Sequence, residues 1–551
     1  MIRASLFVTL TGMLLGPAWL AVRAADFIGT VTDADTGRPI PARVYVEAPG
    51  SRWLFVTSAD PAGTAVPYDE QWVAMPGSVD RHTTISAHPF RVALSPGSYR
   101  VTVERGKEYH PLTRTVVMTG QPRAEHFPLR RWVDMAARGW YSGETHVHRR
   151  IEELPNVVRA EDLNVAFPVT FWTTRSDQAP TTAPSPLRPT PSPAGARTDA
   201  GAAFLAVDAT HVLVPRNTEY EIFSVGDRQH VLGAISLLNH QTVFTATMPP
   251  VAAIAARAHR EGALIDLDKH NWPWSMMLVP VARVDLFELA NNSVWRTAFG
   301  FRSSLVPPAD FMTVETDAQG MTEKGWLDFG FQTYYTLLDC GFRLRPTAGT
   351  ASGVHPVPLG FSRVYVHLGP TFDARRWIDG LNAGQSFVTT GPMLLATVDG
   401  EDPGHVFRIA EKGPRTFRVA GESLSARPID RIELVVNGQV VDTIRPENRA
   451  DEQSAYTSRF AIGVPLAESS WVAVRSCEVE PDGRTRFAHT APFHVEMAGA
   501  LVRPRRREVE YLVGLIRAEL ARNTGVLPPP ALDEYRQALR IYQEIAGRAR
   551  E

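Results

Sequence analysis

The chain has 551 residues, of which 44% are apolar and 21% are charged, and its formal net charge is −2. A chain of this length is too long for one hydrophobic core, so several domains are expected. The near-neutral charge gives no electrostatic reason to expect a nucleic acid or an anionic membrane as a partner. The only cysteines are Cys340 and Cys477, which excludes a fold that depends on a disulfide framework.

The N-terminus has the features of a secretory signal peptide. Arg3 provides a positive charge, residues 6–15 form an apolar stretch, and Val22-Arg-Ala24 places small side chains where signal peptidase needs them. We therefore predict that residues 1–24 are removed and that the protein is exported to the periplasm or the extracellular space. A buried N-terminal helix or an uncleaved anchor is the alternative. No later stretch reaches the roughly 20 apolar residues that span a bilayer, so stable membrane insertion is not expected.

Residues 25–129 are predicted to form a β-sandwich. Apolar and polar residues alternate in the segments 43–47 and 99–104, which indicates strands. The Gly-x-Val and Thr-Gly-x-Pro-Ile patterns between Gly29 and Ile40 resemble those of carboxypeptidase regulatory-like domains. That resemblance concerns the fold and says little about activity.

Residues 130–395 change to short apolar runs that alternate with helical stretches. The Ala-rich segment 251–261 is typical of a helix, and after Gly262 the segment 263–268 is typical of a buried strand. Such an order predicts an α/β barrel or sheet. The Pro-, Thr- and Ser-rich segment 179–197 is predicted to be a mobile loop, with a lid over a pocket as the alternative.

Residues 396–500 return to the β pattern and predict a second sandwich. Asn437-Gly438, between two apolar runs, predicts a hairpin with a type I′ turn. Residues 501–551 have two runs with a 3.6-residue period, which predict a helical hairpin packed on the body of the protein. A dimerisation arm is the alternative, and the pattern does not determine the oligomeric state.

The strongest local signal for chemistry is the motif Gly139-Trp-Tyr-Ser-Gly-Glu-Thr-His-Val-His148. In a strand, side chains at positions i and i+2 point to the same face, so His146 and His148 can converge on one ion. Glu144 shares that face and could hold one imidazole in the tautomer that binds a metal. A purely structural pair of histidines is the alternative.

The motif resembles the Gly-Asp-Leu-His-x-His element of the CehA/McbA family of metallohydrolases, in the PHP (polymerase and histidinol phosphatase) superfamily. The segment 217–221 is similar to the family motif whose glutamate bridges two metals, which implies Glu219. His230 and His270 match further ligand histidines, and the segment 377–392 resembles the one that closes the domain. The resemblance covers roughly residues 132–400.

The resemblance implies a multidomain α/β plus β protein, with a distorted PHP-type β/α barrel between two β-sandwiches and a C-terminal helical hairpin. It implies one or two divalent metal ions, either zinc, manganese or iron, which suit a His/Glu ligand set. Such an ion lowers the pKa of bound water and can supply hydroxide. The implied metal ligands are His146, His148, Glu219, His230 and His270.

Two elements of the family pattern are absent. Phe171 and Trp172 stand where a Thr-Asp-His element is expected, and the segment 350–353 lacks the expected Asp-x-His. Most of the missing ligands belong to one of three metal positions in the superfamily. A three-metal site is therefore not expected.

Two further side chains are candidates for catalysis. Asp268 could orient His270 or act as a general base, and a buried carboxylate without a proton to move is the alternative. Arg149 is a candidate for binding an anionic group of the substrate, as is Arg175, although surface arginines are common. His355 has no spacing argument and is expected to be an ordinary polar residue.

Three functions are consistent with these observations. The first is an exported metal-dependent hydrolase of a phosphoester, carboxylic ester or carbamate in a small-molecule or polymer-borne substrate. The second is a degenerate PHP domain that binds a ligand without turnover, and the third is a structural part of an extracellular assembly. The retained ligands favour the first function, whereas the missing Asp-x-His favours the second. The substrate is not encoded in any readable motif.

Overall fold

The computed structural model describes residues 24–72, 75, 77–182, 204–293, 297–411 and 413–551. The predicted signal peptide, apart from Ala24, and most of the predicted loop at 179–197 lie outside these ranges. Within them the protein is a multidomain α/β plus β protein in which strands far outnumber the seven α-helices. The predicted fold class is confirmed at this level. No helix in the described ranges is both long and apolar enough to cross a bilayer.

The N-terminal region is built from strands in two facing sheets. These strands are β1 (Ala25–Asp33), β2 (Ala42–Ala48), β3 (Arg52–Leu54), β4 (Thr57–Ser58), β5 (Ala65–Gln71), β6 (Val79–Ile85), β7 (Phe90–Leu94), β8 (Gly97–Glu104), β9 (Leu112–Met118) and β10 (Arg123–Leu129). One sheet has the order β10-β1-β7-β4 and the other has the order β5-β6-β2-β8-β9, with β3 beside β2. Their inner faces bury apolar side chains such as Phe27, Val44 and Val101, as the alternation predicts.

The central region alternates strands and helices. Its elements are a 3-10 turn (Ala136–Arg138), β11 (Trp140–Val147), α1 (Leu154–Ala160), β12 (Val165–Pro168), β13 (Phe171–Arg175), β14 (Thr181–Thr182), β15 (Leu205–Ala206), β16 (Val212–Leu213), β17 (Asn217–Val225), β18 (Arg228–Leu238), α2 (Ala252–Arg260), β19 (Leu264–Leu267), α3 (Ser275–Leu278), a π-helical turn (Val279–Arg283), β20 (Leu286–Ala290), β21 (Thr316–Asp317), β22 (Gly320–Met321), α4 (Glu323–Asp339), β23 (Arg345–Ala348), β24 (Arg363–His367), α5 (Ala374–Ala383) and β25 (Ser386–Thr389).

Two sheets of the central region surround a common interior. One is seven-stranded, in the order β14-β13-β17-β18-β19-β20-β23, and the other contains β15-β16-β12-β11-β24-β25. Neither sheet closes on itself in the part of the chain that is described. They approach each other at two places, because β12 leads directly into β13, and the segment after β23 bridges back to β11 through Ser352 and Val147. The polar residues discussed below lie between them.

The C-terminal region adds one separate sheet, extends a sheet of the central region and ends in the last two helices. Its elements are β26 (Met393–Val398), β27 (Val406–Ile409), β28 (Arg415–Ser425), β29 (Ile429–Val436), β30 (Gln439–Ile444), β31 (Arg449–Ala450), β32 (Tyr456–Leu466), β33 (Ser470–Val479), β34 (Thr485–Thr490), β35 (Phe493–Met497), α6 (Arg506–Asn523) and α7 (Pro529–Ala546). One sheet has the order β26-β28-β32-β31. Strands β34-β33-β29-β30 join β25, and with β35 beside β33 and β27 beside β35 the sheet of the central region reaches 12 strands. Asn437 and Gly438 have φ angles of 44° and 74°, which confirms the predicted hairpin turn.

The largest hydrophobic core is shared by three parts of the chain. It includes Leu267 from the central region, Trp471 from the C-terminal sheet, and Leu512 and Tyr535 from the last two helices. Helices α6 and α7 pack on each other and on the central region, where the Tyr542 hydroxyl donates a hydrogen bond to the Met276 carbonyl at 2.7 Å. The helical pair is thus packed on the body of the protein.

Candidate metal centre

His146 lies on β11, whose residues are all buried, and His148 follows its last residue. The chain after β23 holds this strand end, since Ala351 N–H donates to the His146 carbonyl at 2.9 Å and His148 N–H donates to the Ser352 carbonyl at 2.8 Å. The close approach requires glycine at position 349. A Cβ atom there would lie 2.3 Å from the Cβ of His146, which no side chain can tolerate.

Glu219 reaches the same interior from β17. The side-chain amide of Asn217 fixes the start of this strand by donating to the carbonyls of Pro168 and Val214 at 2.8 and 2.7 Å. In the sheet, Glu219 lies between Trp172 on β13 and Ser236 on β18. Residues at the same level of neighbouring strands point to the same face, so this register aims the carboxylate at the β11 histidines.

The three side chains form a compact and fully buried group. The Nε2 atoms of His146 and His148 are 3.1 Å apart. Glu219 Oε1 lies 3.6 Å from His146 Nε2, and Glu219 Oε2 lies 3.2 Å from His148 Nε2. One ligand atom from each residue lies within 4.8 Å of the others, so the group could hold a metal ion.

Two features of this group fit a cation. Neither oxygen of Glu219 accepts a hydrogen bond, although the side chain is fully buried, and a buried carboxylate without a partner is costly. The 3.1 Å separation of the nitrogens also matches two ligands bound to one ion at about 2.0–2.1 Å and roughly 100° apart. A divalent ion would satisfy both requirements.

The electrostatics leave both imidazoles neutral. Burial lowers the pKa of His148 to about 4, and burial together with the charge of Lys269 lowers the pKa of His146 well below its usual range. Burial and the neighbouring Asp268 raise the pKa of Glu219 well above its usual range. Neutral imidazoles keep a lone pair for a metal, and a cation is what would restore the ionised form of Glu219.

Glu288, on β20, is the carboxylate that contacts His146. Its Oε2 lies 3.0 Å from His146 Nδ1, and with Glu288 ionised the Nδ1–H donates and Nε2 faces the group. The sequence suggested Glu144 for this role, and that expectation is wrong. Glu144 instead accepts hydrogen bonds from the backbone of Thr350 and Gly360, and burial raises its pKa to about 8.

Asp268 lies beside the group, but it does not orient His270. Its Oδ2 is 3.1 Å from Lys269 Nζ and 3.9 Å from His146 Nδ1, and its Oδ1 has no hydrogen-bond partner. Neither ring nitrogen of His270 accepts or donates a hydrogen bond. This geometry excludes the orienting of His270, while the general base and the buried carboxylate without a proton to move both remain predictions for Asp268.

His230 is not part of the group, which corrects the ligand set that the resemblance implied. On β18 the residue level with Glu219 is Ser236, and His230 precedes Ser236 by six residues, or about 20 Å of extended strand. His230 Nε2 forms a hydrogen bond of 2.7 Å with the side chain of Asn523, on α6. Its role is therefore to attach the C-terminal helices.

His270 is also outside the group. Its ring packs against Phe287, Trp326 and Phe329, with centroid distances of 5.6, 5.8 and 5.5 Å. This aromatic pocket lowers the pKa of His270 to about 3 through burial. The prediction failed because His270 lies three residues beyond the end of β19, where the strand no longer determines the direction of a side chain.

Arg149, immediately after His148, faces the N-terminal sandwich. Its guanidinium lies 4.5 Å from the ring centre of Tyr68 and 3.3 Å from Glu153 Oε2, while its buried NH1 has no hydrogen-bond partner. It remains a candidate for binding an anion. Arg175 does not, because its side chain pairs with Asp177 and Asp227.

The two missing family elements are replaced by other contacts. Trp172 packs edge-on against His148, with ring centres 5.2 Å apart. Beyond position 350, Gly353 N–H donates to the Tyr68 hydroxyl at 3.0 Å, so the N-terminal sandwich supports this loop. The loop carries His355, whose pKa is lowered to about 3 by burial. The sequence offered no spacing signal for His355, Lys269 or Glu288, although a glutamate inside the apolar run 286–290 is a hint.

No protein-family model matches this chain, and no curated protein is significantly similar to it.

Proposed function

We propose that the protein is an exported metal-dependent hydrolase of ester-type bonds, acting on a phosphoester, carboxylic ester or carbamate. One observation carries the proposal: two imidazole nitrogens and a carboxylate without a hydrogen-bond partner converge in a buried interior. A divalent zinc, manganese or iron ion there would supply Lewis acidity and activate a water molecule. Histidine and glutamate ligands suit each of these metals.

The surrounding residues have separable roles in this proposal. Glu288 orients His146 through Nδ1. Asp268 accepts a proton from the attacking water, because its Oδ1 is buried without a partner. Arg149 binds an anionic group of the substrate through its unpaired NH1.

The family assignment belongs to the same proposal. The His-x-His strand followed by Glu219 supports a relationship to the CehA/McbA hydrolases. The two sheets that approach each other at β12–β13 and at Ser352–Val147 support a distorted PHP-type barrel. Export rests on the N-terminal pattern, and the substrate is a small or polymer-borne ester with no role for nucleic acid.

One observation favours the non-catalytic alternative, a degenerate PHP domain that binds a ligand or serves a structural role. Trp172 occupies the place of a family ligand and packs on His148. An aromatic ring there narrows the approach to the metal group and could replace turnover by binding. Metal content and turnover together distinguish these alternatives.

The decisive test compares metal in the wild type with metal in two variants. Protein purified without added metal and analysed by plasma mass spectrometry is expected to retain zinc, manganese or iron. The double change His146→Ala with His148→Ala is expected to abolish most of it, since the two imidazoles supply most of the bonds. His230→Ala is the matched control and should retain the metal, because His230 contacts Asn523.

Turnover is measured with p-nitrophenyl phosphate, p-nitrophenyl acetate and an aryl carbamate. The wild type is expected to hydrolyse at least one of them, and the double histidine variant none, while its circular dichroism stays unchanged. A wild type that binds metal but turns over none of these esters would support the ligand-binding alternative. A wild type that neither holds nor binds any metal would refute the proposal.

A further inference from the structure

The structure separates the two sets of residues that would be needed to hold two metal ions. His146, His148 and Glu219 converge, whereas the two other histidines of the implied ligand set are used elsewhere. His230 holds Asn523, and His270 lies in an aromatic pocket. No second group of metal-binding side chains is found in the described residues.

Lys269 lies next to the group, because the Oδ2 atom of its ion-pair partner Asp268 is 3.9 Å from His146 Nδ1. Its side chain is nearly buried, and its Nζ is 3.1 Å from Asp268 Oδ2. The ammonium also interacts electrostatically with Glu219, Glu221 and Glu288. One internal cation therefore faces a set of acidic side chains that come from two strands, β17 and β20, and from the end of a third, β19.

An ammonium group excludes a metal ion from such a position. It has three hydrogen-bond donors and no lone pair, so it cannot be a ligand, and it repels a second cation at close range. Its single charge compensates for part of the negative charge that the carboxylates would otherwise present. The same carboxylates without Lys269 would attract a second divalent ion.

We propose that the centre binds a single divalent ion at His146, His148 and Glu219, and that the Lys269 ammonium replaces the second ion as the neighbouring positive charge. The inference rests on the proposed metal site. It reduces the one or two ions implied by the family resemblance to one. It also explains how the chain can dispense with His230 and His270 as ligands.

The test is the number of Mn²⁺ ions bound at neutral pH by the protein from Ala25 to its C-terminus. Equilibrium dialysis of the wild type is expected to give one equivalent, with the electron paramagnetic resonance spectrum of an isolated ion. Lys269→Met removes the charge while keeping much of the side-chain volume. It is expected to bind a second equivalent and to show the spectrum of two coupled ions.

Two control variants separate charge from other effects. Lys269→Arg keeps a positive charge and should still bind one ion. Lys107→Met removes another partly buried lysine, whose Nζ donates to the Thr390 carbonyl, and should also bind one. Circular dichroism identifies a variant that fails to fold. If Lys269→Met does not fold, the number of Mn²⁺ ions bound by the wild type and by Lys269→Arg tests the inference.

The outcomes distinguish this inference from the proposed function. A wild type that binds no Mn²⁺ would refute the metal site itself. A wild type that binds two ions, or a folded Lys269→Met that still binds only one, would overturn the role of Lys269 and leave the hydrolase proposal standing. A second ion gained by Lys107→Met would likewise overturn it.

Discussion

His146 has a contact at each ring nitrogen, and the contact of Nδ1 with Glu288 can be tested by substitution. Glu288 contacts Nδ1, whereas Nε2 faces His148. Burial raises the pKa of the Glu288 carboxyl, and a bound cation would favour its ionised form. Glu288→Gln cannot adopt that form, so metal affinity is expected to fall by about 10- to 100-fold. Competition with a chromogenic chelator measures this. Glu433→Gln, at a buried carboxylate paired with Arg475 in the C-terminal sheet, is the control and should leave the affinity unchanged.

His270 provides a second test at the scale of one residue. Its ring nitrogens have no hydrogen-bond partners in an aromatic pocket, and such buried groups cost about 1–3 kcal/mol. His270→Phe is therefore expected to retain the metal and to raise the free energy of unfolding by about 1 kcal/mol in urea titrations. Loss of metal in this variant would restore His270 as a ligand.

The same variant has a predictable pH dependence. Burial lowers the pKa of His270 to about 3, whereas in the unfolded chain its pKa is about 6.5. Between about pH 6.5 and pH 3 the unfolded chain therefore binds more protons at this residue than the folded chain does. His270 thus lowers the free energy of unfolding of the wild type progressively as the pH falls below about 6.5. The advantage of His270→Phe should grow by up to about 1.4 kcal/mol per pH unit in that window. A constant difference between pH 7 and pH 5 would contradict the assignment.

The sequence could predict those site residues whose placement depends on local rules. His146 and His148 follow from the two-residue period of a strand, and Glu219 follows from a short motif on another strand. Glu288 and Lys269 could not be assigned, because their contacts depend on how strands distant in the chain are ordered in the sheet. His230 shows the same limit, since its position along β18 was not determined by its motif.

Helix α2 depends on a side chain from the C-terminal pair of helices. The backbone N–H groups of Val251 and Ala252 both donate to the Glu534 carboxylate at 2.7 Å, which satisfies two of the four free donors of the helix N-terminus. Glu534→Ala is expected to lower the free energy of unfolding by about 1–2 kcal/mol. Glu544 lies on the exposed side of α7, the helix that carries Glu534. Glu544→Ala should change the free energy of unfolding by less than about 0.5 kcal/mol. Equal effects of the two substitutions would exclude the capping role.

At the scale of the whole molecule, the N-terminal pattern makes a prediction about processing. Cleavage after Ala24 would leave β1 intact, because that strand begins at Ala25 and pairs with β7. N-terminal sequencing of the exported protein is expected to begin near Ala25 or Asp26. A mature protein that begins at Met1 in the cytoplasm would contradict export.

The overall architecture was predictable only in part. Alternating β patterns at both ends and mixed α/β patterns between them are local properties, and they led to the correct fold class. The pairing of β25 with β34 was not predictable, because it joins Thr389 to Ala488 across a sequence boundary expected near residue 395. A pattern of alternation identifies a strand but does not identify its partner.

The pairing between β25 and β34 limits where the chain can be truncated or recombined. A fragment ending at residue 395 would expose the open edge of β25, and unpaired edges promote aggregation. Recombination that exchanged the C-terminal sheet for an unrelated module would have to supply a strand that matches β25 in register. The central and C-terminal regions are therefore expected to have been inherited together, and a shortened gene would yield an insoluble product.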